Sequence, residues 1–317
     1  MEFIANAGRL DIILQKEMQT TRNQIEHFIK KGCVSVDNKV IKKCGYKLCG
    51  GEKIKYILQE IKHSPITDVD FDIDILYEDE DIMVINKPPF LTVHPAPSVK
   101  EATLVDWLKS KNISLSTISG DERHGIVHRI DKQTSGALVI AKNNESHLKL
   151  SKQLEDKSMG RYYLAIVDMA LKENIIIEKH IARSRKNRLK MGVDNSGKYA
   201  KSAFLKLLTS KNEKFELIAA KLFTGRTHQI RVHLSSISRH IAGDSLYGFK
   251  SKKGIINRVM LHAYILYLVH PVTNKSIFIK APLQDDFMNV VREKFNMEQF
   301  NEKVNPEYII NNFDTFC

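Results

Sequence analysis

Four cysteines in 317 residues, none of them in a Cys-x-x-Cys pair, are too few and too irregular for a disulfide framework or a structural zinc. Cys33, Cys44, Cys49 and Cys317 therefore read as reduced thiols. No apolar run approaches the roughly 18 residues that a bilayer span requires; the best candidate, Tyr264-Ile-Leu-Tyr-Leu-Val269, is only strand length. The start, Met1-Glu-Phe-Ile-Ala-Asn6, has neither the basic opening nor the apolar core of a secretion signal, so a cytoplasmic location is expected. Also missing are a glycine-rich phosphate loop and a dinucleotide fingerprint. What is present is an ordinary globular composition, 43% hydrophobic and 27% charged, which excludes disorder and fibrous repeats.

The chain carries 49 Lys and Arg against 37 Asp and Glu, a net charge of +12, which implies an anionic partner without naming it. The charge is uneven. Residues 1–62 hold 12 basic and 7 acidic side chains, a net of +5, and residues 82–317 hold 37 and 22, a net of +15. Between them 63–81 has 8 acidic residues and no Lys or Arg, and reads as an acidic linker running into an edge strand.

In the first body, Leu10, Ile13 and Leu14 recur at helical spacing, and a second helix follows Thr20 or Thr21 as cap, burying Ile25, Phe28 and Ile29. Gly32 ends that helix. Cys33-Val-Ser-Val-Asp-Asn-Lys-Val40 alternates toward a turn at Asp37-Asn38, a hairpin signal. These residues, with Arg9-Leu-Asp11, Thr21-Arg22, Ile29-Lys-Lys-Gly-Cys-Val-Ser-Val36 and Gly50-Gly-Glu52, resemble the S4 RNA-binding domain, a small α/β module. The resemblance implies that Arg9, Arg22, Lys30 and Lys31 meet RNA phosphates, contacts that position a protein without reading sequence.

The second body, 82–317, has many strand-like runs and few helices. Tyr162–Val167, Ser202–Leu208, Phe215–Ala220 and Tyr264–Leu268 predict strands, while Thr103–Leu108 and Asn144–Leu154 predict helices. The expected class is α+β, built on a mixed, largely antiparallel sheet. The segment 125–142 predicts a strand, a polar turn from Asp131 to Gly136, and a second strand. Arg129 and Lys132 flank Asp131 and favour its ionised form. Such a carboxylate can attack an electrophilic carbon; as an isolated residue it equally suits a turn-capping role. His228 and His233 lack a third spaced ligand and read as local hydrogen-bonding residues on a helix, so no metal is expected.

The string His128-Arg-Ile-Asp-Lys-Gln-Thr-Ser-Gly136 resembles the signature of the RluA-type pseudouridine synthases. Arg161-Tyr-Tyr-Leu-Ala165 and Thr224-Gly-Arg-Thr-His-Gln-Ile-Arg-Val-His233 follow in the order that family shows. Lesser matches are Asn86-Lys-Pro88, Thr92-Val-His-Pro95, Arg188-Leu-Lys-Met191 with Lys198, Gly243-Asp-Ser-Leu-Tyr-Gly248, Leu261-His-Ala263 and His270-Pro271. The resemblance implies isomerisation of uridine in RNA to pseudouridine without cofactor. In it Asp131 acts at ribose C1′ as nucleophile or as the base forming a glycal, Arg226 pairs with Asp131, and Tyr163 stacks on uracil and helps remove the C5 proton. It further implies that Arg129 enters the RNA stack, and Arg188 and Lys190 belong to a Lys/Arg-rich stretch, 179–190, that suits the RNA backbone or a solvated loop. Large-subunit (23S) ribosomal RNA is the expected substrate, tRNA the alternative, no membrane partner is expected, and a monomer is expected. A noncatalytic ribosome assembly factor and a metal-dependent RNA hydrolase are the competing classes; the second needs clustered carboxylates, which here lie only in the linker.

Overall fold

The computed structural model describes residues 1–18, 22–57, 68–95, 99–118, 124–250 and 256–316, with the backbone alone at 22–24 and 27. The amino-terminal body runs β1 (Glu2–Ile4), β2 (Gly8–Arg9), α1 (Leu10–Glu17), α2 (Arg22–Lys30), β3 (Val34–Val36), β4 (Lys39–Val40), β5 (Lys47–Leu48) and β6 (Lys53–Tyr56). Leu10 and Leu14 on α1, like Ile25 and Ile29 on α2, stand four apart and share a helix face; all four are fully buried in one core with Ile54. Gly32, at φ +76°, ends α2 in the left-handed conformation that a Cβ disfavours. Asp37 and Asn38 both take positive φ, the twist a two-residue hairpin needs, and join β3 to β4. The cap expected at Thr20 or Thr21 lies outside the described residues.

The second body continues with β7 (Asp74–Glu78), β8 (Ile82–Lys87), α3 (Leu104–Ser110), β9 (Ser135–Ala141), α4 (Asn144–Asp156), β10 (Gly160–Asp168), β11 (Ile175–Arg183) and β12 (Met191–Val193). Then come β13 (Lys198–Thr209), β14 (Phe215–Leu222), α5 (Gln229–Ser235), β15 (His240–Ile241), β16 (Leu261–Val269), β17 (Ser276–Lys280), α6 (Asp285–Lys294), α7 (Met297–Lys303) and α8 (Pro306–Phe316). Eleven strands form one sheet in the order β12-β11-β13-β14-β10-β16-β9-β8-β7, with β15 beside β10 and β17 beside β16. Only β16 with β9 is parallel, so the sheet is mixed and largely antiparallel, as expected for an α+β body. Residues 74–78 of the acidic run form β7, an edge strand of this sheet, and 79–81 turn into β8.

Strands β8 and β9 are buried along their whole length, so Ile82–Ile85 and Ala137–Ala141 read as apolar runs rather than alternating, with Asn86, Lys87 and Ser135 as buried polar ends. The two-residue period still sorts them: Met83, Ile85, Leu138 and Ile140 join the large core on one face, while Ile82, Val84, Ala137 and Val139 join a second core on the other. Helix α4 contributes Leu150 to the second core, and α6 to α8 cover the first through Phe287, Val290, Val291, Phe300, Ile309 and Phe313. Gly136, at φ +111°, lies so close to β16 that a Cβ would meet the Ala263 carbonyl at 2.3 Å, so only glycine fits there.

Two expectations need correction. The segment before Asp131 is not a strand: it makes a single bridge, Ile126 to Ile140, and then leaves the sheet, because β16 occupies the β9 edge at Ser135 and Gly136. The basic stretch 179–190 is not all loop either, since its first half is the end of β11, paired with β12 and β13.

Candidate active site

Asp131 sits in the turn just before β9, closed by Thr134 N–H donating to the Asp131 carbonyl at 3.0 Å. Two buried cations hold this turn. Lys87 Nζ, fully buried, donates to the carbonyls of Pro88, Leu91 and Lys132 at 2.7, 3.0 and 3.2 Å, one acceptor for each proton. Burial, with Arg258 adding to it, pushes the Lys87 ammonium down to about 7, while Asp131 and the three carbonyls favour the charged form. Arg258, also buried, donates through Nη1 to the Gln133 carbonyl at 3.3 Å and grips Asp286 with Nε and Nη2. The catalytic-looking turn is thus fixed by main-chain contacts, which leaves the Asp131 side chain free to face outward.

That side chain meets Arg231 rather than Arg226. Arg231 Nη1 donates to Asp131 Oδ2 at 3.0 Å, and its Nε and Nη2 hold Asp244 at 2.7 and 2.9 Å. Burial opposes the charge on Arg231, but the two carboxylates outweigh it and raise its pKa above the usual arginine range. Arg226 lies in the turn before α5, where its Nε donates to the Tyr199 carbonyl at 2.9 Å. The reason is where α5 begins: Arg231 is inside the helix and its guanidinium reaches Asp131, whereas Arg226 lies in the turn before it and is bonded to the Tyr199 carbonyl instead.

His228 caps α5 with a positive φ of +57°, a strained choice for a residue with a Cβ. The Tyr247 hydroxyl donates to the Met191 carbonyl and accepts from the Met191 N–H, so it accepts a second hydrogen bond from His228 Nδ1–H at 2.9 Å. His228 Nε2 then carries a lone pair, 3.8 Å from Asp131 Oδ2. Burial lowers the His228 pKa, with Asp131 opposing, so the ring is neutral at pH 7. Two acceptors therefore stand side by side, and a hydroxyl placed beside them can donate to either.

Asp131, His228 and Arg231 line a cavity of about 470 Å³ together with Arg129, Arg161, Tyr163 and Arg226, a size suited to a small ligand such as a nucleoside. Tyr163 projects from β10 and is 4% exposed; burial raises its pKa, with Asp131 adding to the rise and Arg161 opposing it. It is a neutral phenol at pH 7, fit to pack against a flat ring but not to take a proton.

The structure places the remaining sequence-derived residues as follows. Arg129 is exposed at the cavity, its Nη2 3.4 Å from Thr227 Oγ1. Arg9 is committed to buried Asp11, which it holds with Nε and Nη2 at 3.0 and 2.8 Å. Lys30, with a Glu26 oxygen at 3.5 Å, and Lys31 are exposed, whereas the side chain of Arg22 lies outside the described residues. Arg188 is exposed in the turn between β11 and β12, and Lys190 lies 5.9 Å from the centre of the Tyr247 ring, which also carries the Arg231 guanidinium at 4.8 Å. Sequence reasoning missed Arg231, Asp244 and Tyr247. All three stand inside quoted motifs, but no local spacing singles them out there.

The chain matches the RNA pseudouridylate synthase family over residues 81–236 and the S4 domain over residues 8–54. It is 46% identical over 315 residues to an uncharacterized RNA pseudouridine synthase of Helicobacter pylori strain J99, covering 96% of this chain and 95% of that protein. It is 35% identical over 301 residues to ribosomal large subunit pseudouridine synthase D of Nitrosomonas europaea, covering 91% of this chain and 85% of that one. In fold it is similar to the human RNA pseudouridylate synthase domain containing 1, with a TM-score of 0.54 at 22% identity over 70% of this chain and 86% of that one.

Proposed function

Because this chain belongs to the RNA pseudouridine synthase family, we propose that its cavity isomerises specific uridines of large-subunit ribosomal RNA, with Asp131 as the reacting carboxylate. The observation that supports this reading most is the placement of Asp131: a partly exposed carboxylate whose turn is locked from behind and whose Oδ2 is held by Arg231 at 3.0 Å, inside a cavity of nucleoside size. Preorganisation of this kind removes orientational freedom before the reaction begins.

In the proposed reaction the target nucleotide leaves its stack, at a cost of a few kcal/mol, and Arg129 takes up the vacated space. Uracil lies against Tyr163. Asp131 either bonds to ribose C1′ as the C1′–N1 bond breaks or removes the C2′ proton to form a glycal. The adjacent acceptors Asp131 Oδ2 and His228 Nε2 suit a ribose hydroxyl. Uracil then turns, its C5 bonds to C1′, and the C5 proton is lost while N1 gains one, so the product is an isomer. The S4 body and the basic edge at Arg188 and Lys190 supply phosphate contacts, so RNA affinity should fall as salt rises. The ribosomal assignment draws on the relatives named for the ribosomal large subunit and on the S4 anchor, which suits a large folded RNA.

The test is a pseudouridine map by carbodiimide-based primer extension from cells with the wild-type protein, without it, and with Asp131→Asn. Loss of one or more ribosomal sites in both deficient strains is expected, while purified Asp131→Asn still binds the RNA. Unchanged modification with Asp131→Asn would refute the role of that carboxylate, and loss confined to tRNA would refute the ribosomal assignment.

A further inference from the structure

The cations around the cavity differ in what they already hold. Arg231 is shared between two carboxylates, and Arg129 and the Arg226 loop reach solvent. Arg161 is 8% exposed and lines the same cavity, yet among the described residues no carboxylate pairs with it. Glu155 of the cavity wall is exposed, and Asp314, which acts with Arg161 on Tyr267, has Lys221 at 3.7 Å. Arg161 Nε is buried with no hydrogen-bond partner, and Nη1 meets His128 Nδ1 at 2.5 Å. His128 is a poor partner, because Val139 N–H also points at its Nε2 from 3.2 Å and a neutral imidazole has one lone pair for the two donors. Burial and the adjacent Arg161 hold His128 in that neutral form. A buried ion without its counterion costs several kcal/mol. This guanidinium is a site lacking its anion.

Its position says which anion. Arg161 and Tyr163 are two residues apart on β10 and share a face of the strand. Arg161 and Asp131 both act on the Tyr163 phenol, so the three groups surround one volume. We propose that Arg161 is a further catalytic residue, the counter-charge for the uracil anion released when the glycosidic bond breaks. The inference rests on the reading of this cavity as a pseudouridine-forming site and adds a residue to it.

The charge balance requires such a group. Before cleavage the negative charge is on Asp131, opposite Arg231. When C1′–N1 breaks, its electron pair leaves with the base, and the anion spreads over N1, O2 and O4 of uracil. If Asp131 bonds to C1′ it becomes a neutral ester; if it takes the C2′ proton it becomes a neutral acid. Either route moves one negative charge from Asp131 to uracil, away from the cation that balanced it. Formation of the C5–C1′ bond, transfer of a proton from C5 to N1 in net terms and return of Asp131 to its carboxylate close the cycle with no oxidant or co-reactant. A cation fixed where charge develops lowers the barrier because it needs no reorganisation.

The test compares Arg161→Gln and Arg161→Lys with wild type in single-turnover reactions at saturating RNA, on the mapped RNA fragment carrying uridine or 5-fluorouridine at the target. Fluorine stabilises the departing anion, so that substrate depends less on the protein. Conversion of the target is read by liquid chromatography of the nucleosides after nuclease digestion, which separates each product from its parent even at equal mass, RNA affinity by filter binding, and folding by thermal melts. Arg161→Gln should slow uridine on the order of 10²-fold, slow 5-fluorouridine much less, and leave affinity unchanged, with Arg161→Lys recovering part of the rate. Equal losses on the two substrates, which a merely structural role would give, would overturn the proposal. So would a loss of affinity with an unchanged rate at saturation, which marks a backbone-phosphate contact. If Arg161→Gln does not fold, the same substrate comparison is made on Arg161→Lys. Wild type that forms no pseudouridine defeats the underlying reading; active wild type with substrate-independent losses defeats only this inference.

Discussion

Replacing Arg231 by Met tests the central geometry most directly. The guanidinium lies 3.0 Å from Asp131 and 2.7 Å from Asp244, and Asp244 is 1% exposed. At 3.0 Å and an effective dielectric near 20, the attraction to Asp131 alone is about 5.5 kcal/mol before desolvation. Removing one member of a buried pair typically costs about 3–5 kcal/mol, because the other charge stays buried and unpaired. Arg231→Met should therefore lose about that much stability in urea unfolding, a large part of what a domain possesses. The rate should fall by a comparable free energy, since Asp131 loses the one side-chain hydrogen bond it has among the described residues. A loss of about 4 kcal/mol at the transition state corresponds to roughly 10³-fold, read as release of tritium from RNA labelled at uridine C5. Adding Asp244→Asn separates the two effects: the double variant should recover most of the stability and none of the rate. Arg226→Gln, which removes only a bond to a carbonyl, should cost about 1 kcal/mol or less. Arg231→Met turning over within tenfold of wild type, or Arg226→Gln falling as far, would refute the assignment of Arg231 as the partner of Asp131.

The contrast between these two arginines shows what the sequence carried. Strands such as Tyr162–Val167 and Phe215–Ala220, helix Asn144–Leu154 and the Asp37-Asn38 turn were legible because local periodicity and turn chemistry agree with the fold there. Asp131 and Tyr163 were singled out by their motifs, and the structure puts both on one cavity. The choice of Arg226 over Arg231 went wrong because a one-dimensional motif does not say where α5 begins, and the two side chains diverge at that boundary. Asp244 pairs across 13 positions and Lys87 supports Lys132 across 45, separations that no local pattern encodes. The carboxyl-terminal helices were a different omission. Phe287, Val290 and Val291 already stood at helical spacing, but the segment carried no chemistry to draw attention to it.

Three further outcomes follow from the packing and charge. Lys30→Gln with Lys31→Gln should weaken RNA binding without changing which uridine is modified, and should reduce the slope of log affinity against log salt by up to about 2; an altered modification site would contradict a purely positioning role. Phe313→Ala should lower stability by about 3–5 kcal/mol, because the fully buried ring packs 5.3 Å from the Tyr162 ring and anchors α8 to the core; a loss under 1 kcal/mol in urea would mean that α8 is not part of that core. Asp79 makes the protein acid-sensitive in a defined window. Its Oδ1 accepts from the N–H groups of Asp81 and Ile82, and its Oδ2 from Tyr77 and from His270 Nε2, whose Nδ1 already accepts from Val272 and Thr273 N–H. Burial opposes the carboxylate, but these donors together lower its pKa from 3.8 to about 2. A depressed carboxylate stabilises the fold fully above the unfolded value, and that contribution drains away as pH falls from 3.8 toward 2. The shift is worth at most about 2.4 kcal/mol, and with the side chain 28% exposed, solvent screening leaves roughly 1–2 kcal/mol. The stability difference between wild type and Asp79→Asn should therefore be constant between pH 5 and 7 and shrink toward zero by pH 2; a difference that persists at pH 2 would mean that Asp79 acts through packing and not through its charge.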